Sequence, residues 1–178
     1  MKMNMKVTGL KEIQAQLRYT AEKVPENGRK AMHRAADHIL EEAKLNTPVD
    51  KFNLEKSIRK EITYGTRGRL QINILVGGMM VDGVNITKQK NRNLSKQQRK
   101  RRVNVDQYAV MIHENYEGVT RKNGPGPGTR AKMLANPGRK IGSKFLERAL
   151  KDNQKATYTT IFQSVVQTLK SIWGRMFK

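Results

Sequence analysis

Apolar residues recur along the chain with two periods, and the change from one to the other marks out the elements. From Leu10 they fall at Leu10, Ile13, Leu17, Ala21 and Val24, the three-and-four spacing that lines one face of a helix. Pro25 is expected to break this run. A longer helical stripe follows in Ala31, Met32, Ala35, Ala36, Ile39, Leu40 and Ala43, and Asn46-Thr47-Pro48 is expected to end it. The period then falls to two. Ile58, Lys60, Ile62 and Tyr64 alternate with Arg59, Glu61 and Thr63, and after Gly65–Gly68 the residues Leu70, Ile72, Ile74 and Val76 alternate with Gln71, Asn73 and Leu75. This pattern predicts a β-hairpin with one buried face. Tyr108, Val110 and Ile112 predict a third strand over Gln107–His113. Helical spacing returns at Phe145, Leu146, Ala149 and Leu150 and continues through Ile161, Phe162, Val165, Val166, Leu169, Ile172, Trp173 and Met176, predicting a C-terminal helix over 144–177.

Two stretches carry neither period. Residues 86–104 hold Lys88, Lys90, Arg92, Lys96, Arg99, Lys100, Arg101 and Arg102, with no acidic residue between Asp82 and Asp106. Such a segment cannot bury its charges, and a mobile basic loop or arm is expected. Residues 118–142 are basic and rich in glycine and proline, so a second loop without regular structure is expected there. No internal repeat is found. The fold expected is α+β in a single domain of residues 1–178: N-terminal helices and a long C-terminal helix packed on a small antiparallel sheet, with long basic loops.

Composition sharpens the choice of partner. Among the 178 residues, 36 are Lys or Arg and 15 Asp or Glu, a net charge of +21 that favours anionic partners such as nucleic acid, an anionic membrane or an acidic protein surface. Cysteine is absent, which excludes disulfides, thiolate metal sites and a cysteine nucleophile. Met1–Lys6 alternates Met and Lys without the apolar core of a signal peptide, and no apolar run is long enough to span a bilayer, so synthesis in the cytoplasm is expected. The amphipathic terminal helix fits core packing better than a membrane surface.

Catalytic chemistry is not expected. A metal-dependent nuclease needs carboxylates or histidines that converge on a metal or on an attacking water. His33 and His38 stand five apart on a helix and so face different ways, while His113 and Glu114, neighbours on the predicted third strand, would point to opposite faces. The Gly-Pro-Gly-Pro-Gly run at 124–128 lacks the Gly-Lys-Ser/Thr ending of a phosphate loop. No catalytic, metal or cofactor site is assigned. The basic cluster can neutralise phosphates without reading sequence. It contains no aromatic residue to stack on bases. A non-specific polyanion binder and a solvated arm are equally open on this ground.

Three segments, in order, resemble a known family. Val7-Thr8-Gly9-Leu10-Lys11-Glu12-Ile13, with Ala43-Lys44-Leu45-Asn46-Thr47-Pro48-Val49-Asp50 and Asn53-Leu54-Glu55-Lys56-Ser57-Ile58, is similar to the start of the tail-completion, or head-to-tail joining, proteins of siphophages, also described as tail-component or morphogenesis proteins. Tyr108-Ala109-Val110-Met111-Ile112-His113-Glu114 resembles that family's Tyr-Ala-x-x-Val-Glu segment. Lys144-Phe145-Leu146-Glu147-Arg148-Ala149-Leu150 resembles its Pro-Phe-Leu-x-Pro-Ala-Leu element. Lys51-Phe52 stands where the family has Thr-Gly, and Lys144 and Arg148 stand where it has proline.

The resemblance implies a non-enzymatic virion subunit, made in the host cytoplasm, that forms a homo-oligomeric ring, typically a hexamer, in the neck or tail terminus. Its implied partners are the head connector or adaptor proteins, the tail tube or tail terminator, and the DNA in the channel. The basic arm, Lys88 to Arg102, is the expected partner or polyanion contact. Phe145, Leu146, Ile161, Phe162, Val165, Leu169, Ile172 and Trp173 are the expected packing or subunit interface. The alternative is a non-specific nucleic-acid-binding protein.

Overall fold

The computed structural model describes residues 9–49, 53–77, 80–81, 84–85 and 105–174. Helix α1 (Leu10–Asn46) is followed by a short helix α2 (Asn53–Ser57), strands β1 (Arg59–Tyr64) and β2 (Leu70–Leu75), and the short strands β3 (Met80–Val81) and β4 (Val84–Asn85). Helices α3 (Val105–Thr120), α4 (Pro127–Ala135) and α5 (Phe145–Trp173) complete the order. The fold is α+β, mostly helical. Among the described residues β1 pairs with β2 and β3 with β4, both antiparallel.

Contacts group the chain into two compact units, one taking α1 up to Ala35 and α5 from Lys155, the other running from Ala36 to Gln154. In the first unit the two helices are tied by side chains. Gln16 Nε2 donates to the Ile172 carbonyl (2.5 Å), Asn27 Nδ2 to Thr168 Oγ1 (3.0 Å), and Ser164 Oγ to the Asn27 carbonyl (3.3 Å). A Cβ built on Gly28 would lie 3.8 Å from Val165 Cγ2, an ordinary packing distance between the two helices. These contacts explain a departure from expectation: α1 runs unbroken through Pro25. An interior proline costs about 3 kcal/mol in a helix, and the packing on both sides of it, with Lys23 and Lys30 both paired to Glu26, holds the helix together across the lesion.

The second unit holds the larger core: Ile39 and Ala43 of α1, Leu54 of α2, Ile58, Val105, Ala109, Ile112 and Tyr116 of α3, and Phe145 and Ala149 of α5. Residues 107–113, expected as a strand, are helical. The buried positions Val105, Ala109, Ile112 and Tyr116 are spaced four, three and four, a helical stripe that overrides the local alternation. At Asn115 (φ −144°, ψ 51°) the helix breaks and restarts, the Asn115 Oδ1 accepting from the Gly118 N–H as an N-cap does.

The hairpin forms in the expected place, with Lys60 opposite Ile74, Ile62 opposite Ile72 and Tyr64 opposite Leu70. Only its inner end is covered. Ile58, Ile74 and Val76 reach the core, whereas Ile62 and Tyr64 on the same face are exposed. The glycine- and proline-rich stretch 118–142 also departs from expectation, for it contains the end of α3 and all of α4. Pro127 opens α4 because a missing N–H costs nothing in a first helical turn.

The end of α1 is held by residues far along the chain. A helix leaves its last carbonyls without intrahelical donors. Thr47 Oγ1 donates to the Ala43 carbonyl (2.6 Å), and the Gly142 N–H to that of Asn46 (3.2 Å). Lys132 of α4 donates to the carbonyls of Lys44 (2.6 Å) and Thr47 (3.0 Å), and pairs with Glu55 of α2 (2.8 Å). All three ammonium donors are thus occupied. The buried Thr129 hydroxyl closes the joint, accepting from the Val49 N–H (2.9 Å) and donating to the Val49 carbonyl (2.8 Å). Thr129→Val should leave both backbone groups buried without partners, at about 1 to 3 kcal/mol for each. Thr129→Ser should keep most of the stability. Urea unfolding midpoints of the two variants check this, and equal midpoints would contradict it.

Candidate functional site

Parts of all three segments that carry the family resemblance meet in the core of the second unit, while Leu10 and Ile13 lie exposed in the first. Thr47, Val49, Leu54, Ser57 and Ile58 from the first are buried. Ser57 Oγ donates to the Leu54 carbonyl (2.7 Å) and accepts from the Gly77 N–H (3.3 Å). Ala109 and Ile112 come from the second segment, Phe145 and Ala149 from the third. Packing and backbone satisfaction account for these residues. The turn at Lys51-Phe52 lies outside the described residues.

The absence of the two prolines has a structural reason. Lys144 sits at φ +59°, in the left-handed region, and its N–H donates to the His113 carbonyl (2.6 Å). Proline, with φ near −65° and no N–H, can do neither. Arg148, in the first turn of α5, ties down the loop before it, its guanidinium donating to the carbonyls of Ser143, Lys140 (2.9 Å) and Gly142 (3.4 Å).

The expected α5 stripe separates into two roles. Phe145 and Ile172 are buried. Leu146, Ile161, Val165, Leu169 and Trp173 are partly covered, and Phe162 is 69% exposed. The basic arm, Lys88, Lys90, Arg92, Lys96, Arg99, Lys100, Arg101 and Arg102, lies outside the described residues.

The titratable groups form local locks. His113 and Glu114 do meet, contrary to expectation, because on a helix their side chains can turn toward each other: His113 Nδ1 is 2.9 Å from Glu114 Oε1. Glu114 also pairs with Lys144, and Lys144 first, then His113, holds its carboxyl below the usual range. The His113 ring packs edge-on against Phe145 (4.9 Å between centroids), with Nε2 buried and unpartnered. Glu117 accepts from the Ser143 hydroxyl, which in turn accepts from the Tyr116 N–H (2.8 Å). Arg139 forms a two-pronged contact with Glu42 (2.5 and 3.3 Å). Among the described residues no three His, Asp or Glu side chains are placed to share a metal ion. Among them, too, no helix is long and apolar enough to cross a membrane.

Periodicity did not single out the exposed apolar side chains of the second unit. Tyr64 on β1 (63% exposed), Val110 on α3 (65%) and Leu134 on α4 (83%) lie in water. In the first unit Leu10, Ile13 and Leu17 line the outside of α1, and Tyr158 and Phe162 stand one turn apart on α5. A signal was present, since Tyr64 and Val110 lie on predicted strand faces. What the sequence could not tell is that they lie exposed among the described residues.

The Glu42–Arg139 pair makes a forecast about acid. Hydrogen bonding and charge from Arg139 hold the Glu42 carboxyl below its ordinary 4.5. A depressed folded pKa contributes stability that is present above the unfolded value and is lost as pH falls through the folded one. Glu42→Gln should therefore be less stable than the parent at pH 7, and the gap should close as pH drops below about 4.5. Urea midpoints across pH 3 to 7 test this. A gap that persists unchanged at pH 3 would contradict it.

No curated protein and no solved structure matches the chain significantly. Residues 11–110, more than half of the chain, match the family described as "Bacteriophage HK97-gp10, putative tail-component". The match takes in the first two resembling segments from Lys11 to Val110; the third lies beyond it. The chain belongs to the HK97-gp10-like family of bacteriophage tail components.

Proposed function

We propose that this chain is a non-enzymatic subunit of the phage neck or tail terminus, which assembles as a ring, typically of six copies, and joins the tail to the head connector. The observation that carries the reading is the distribution of apolar side chains. The residues shared with the family build the core, while Tyr64, Val110, Leu134 and Phe162 remain in water on a single chain. Apolar side chains exposed on one copy can be covered where copies meet. A ring closes through heterologous interfaces, in which two different faces of the subunit meet.

The neighbours in this reading are the head connector or adaptor proteins on one side and the tail tube or tail terminator on the other. The virion is its place of work. The basic arm supplies the joint. In a ring, copies of Lys88 to Arg102 would be gathered together, and their repulsion needs an anionic partner: an acidic groove on a neighbouring ring or DNA in the channel. A protein groove is favoured because an arm that wraps a neighbour locks two rings together. The charge also keeps in play a subunit that binds nucleic acid without regard to sequence.

Replacing Arg99, Lys100, Arg101 and Arg102 with serine should leave the subunit folded and abolish joining of filled heads to tails, counted by electron microscopy of infected-cell lysates. If heads and tails join but packaged DNA escapes, the arm contacts DNA. Normal joining with normal DNA retention would contradict both versions.

A further inference from the structure

The sequence contains two Asn-Gly pairs, Asn27-Gly28 and Asn123-Gly124, and the fold treats them in opposite ways. An asparagine before glycine can modify itself. The backbone nitrogen of the next residue closes a five-membered ring on the side-chain carbonyl carbon, and glycine has no Cβ to obstruct the approach. Ring closure needs two freedoms: the side chain must be able to turn to the nitrogen, and the nitrogen must be released from its hydrogen bond.

Asn27 has neither. It lies well inside α1, where its Nδ2 donates to Thr168 Oγ1 (3.0 Å) and its carbonyl accepts from Ser164 Oγ (3.3 Å). Gly28 packs against Val165 of α5. To close the ring there, α1 would have to open in its middle and part from α5, an opening that costs far more than fraying at a helix end.

Asn123 is exposed, and its side chain has no hydrogen-bond partner among the described residues. Gly124, at φ +67°, stands in open space, for a Cβ built on it would meet no atom within 4 Å. Its N–H is held by one bond, to the Thr120 carbonyl (2.7 Å). That carbonyl ends the short last stretch of α3, which restarts after the break at Asn115. Helix ends fray readily, so this bond can open without disturbing the core.

We propose that Asn123 is a site of deamidation in the folded chain, whereas Asn27 is protected. The Gly124 nitrogen, losing its proton to solvent base, bonds to Asn123 Cγ, and the side-chain nitrogen departs as ammonia. Water then opens the ring at either of its two carbonyls, leaving aspartate or isoaspartate. One water is consumed and one ammonia released, with no oxidant or cofactor. The product sets a carboxylate directly after Arg121 and Lys122, within a stretch from Gly118 to Leu146 that has no acidic residue. In the isoaspartate form it also adds one methylene to the backbone of the turn that leads into α4.

The two pairs in one molecule control for each other. The full chain is incubated in mildly alkaline buffer, folded or in concentrated guanidinium chloride, and peptides spanning each pair are followed by mass spectrometry for exchange of NH2 for OH. In the folded chain Asn123 should convert at least about tenfold faster than Asn27, because only its nitrogen is freed by fraying. In guanidinium the two rates should converge, and the folded chain should accumulate a form that leaves a cation exchanger earlier. Equal rates in the folded chain, or faster conversion at Asn27, would overturn the proposal. So would a folded chain in which neither residue converts while both do in guanidinium, since the Thr120 bond would then protect Asn123 as well as the helix protects Asn27.

Discussion

The carbonyls at the C-terminal end of α1 have no donors within the helix, and the rest of the second unit is organised around supplying them. The donors come from Thr47 itself, from Lys132 on α4 and from the backbone of Gly142 just before α5. A cation at a helix C-terminus also opposes the partial negative charge of the aligned peptide dipoles. Lys132 carries that charge and reaches on to Glu55, so α1, α2 and α4 are joined through one ammonium group. Thr129, three residues before it, fixes the chain leaving α1 at Val49. With the end of α1 placed, Ala43, Leu54, Ile58 and the stripe of α3 can close over Phe145. Of the segments that resemble the family, the first supplies the carbonyls and Glu55 of this joint, while the donors Thr129, Lys132 and Gly142 lie outside all three.

Much of this was legible in the sequence because burial follows period. The helical spacing before Pro48 and after Lys144, and the alternation on either side of Gly65–Gly68, correspond to α1, α5 and the hairpin. The misreadings occurred where local chemistry and tertiary packing disagree. Tyr108, Val110 and Ile112 alternate as a strand would, but Val105, Ala109, Ile112 and Tyr116 offer a helical stripe to the core, and the core decides. Pro25 is a helix breaker by local rules, yet α1 runs through it, with Gln16 and Asn27 on either side bonded to α5. Pro127, one of the prolines behind the loop expected over 118–142, stands in the first turn of α4. The Lys132 joint was invisible, since no local pattern relates residue 132 to residue 44.

The same division separates scaffold from function. The buried polar residues serve backbone groups: Thr47, Ser57 and Thr129 each bond to a main-chain partner. The ionised groups are locked in pairs within the unit, as Glu42 is with Arg139 and Glu114 with Lys144. The surface features that lack a structural account are the exposed apolar side chains and the excess of positive charge. In the function proposed above, both are met by neighbouring subunits and partner proteins of the particle.

The central claim is that this chain is a ring-forming joint between tail and head. Imaging of intact particles at a resolution that traces side chains tests it most directly. The result expected is a closed ring of copies between the head connector and the tail tube, with exposed apolar side chains at the contacts between adjacent copies. Particles in which this position is filled by other proteins, or in which the chain is present as isolated copies without mutual contact, would contradict it.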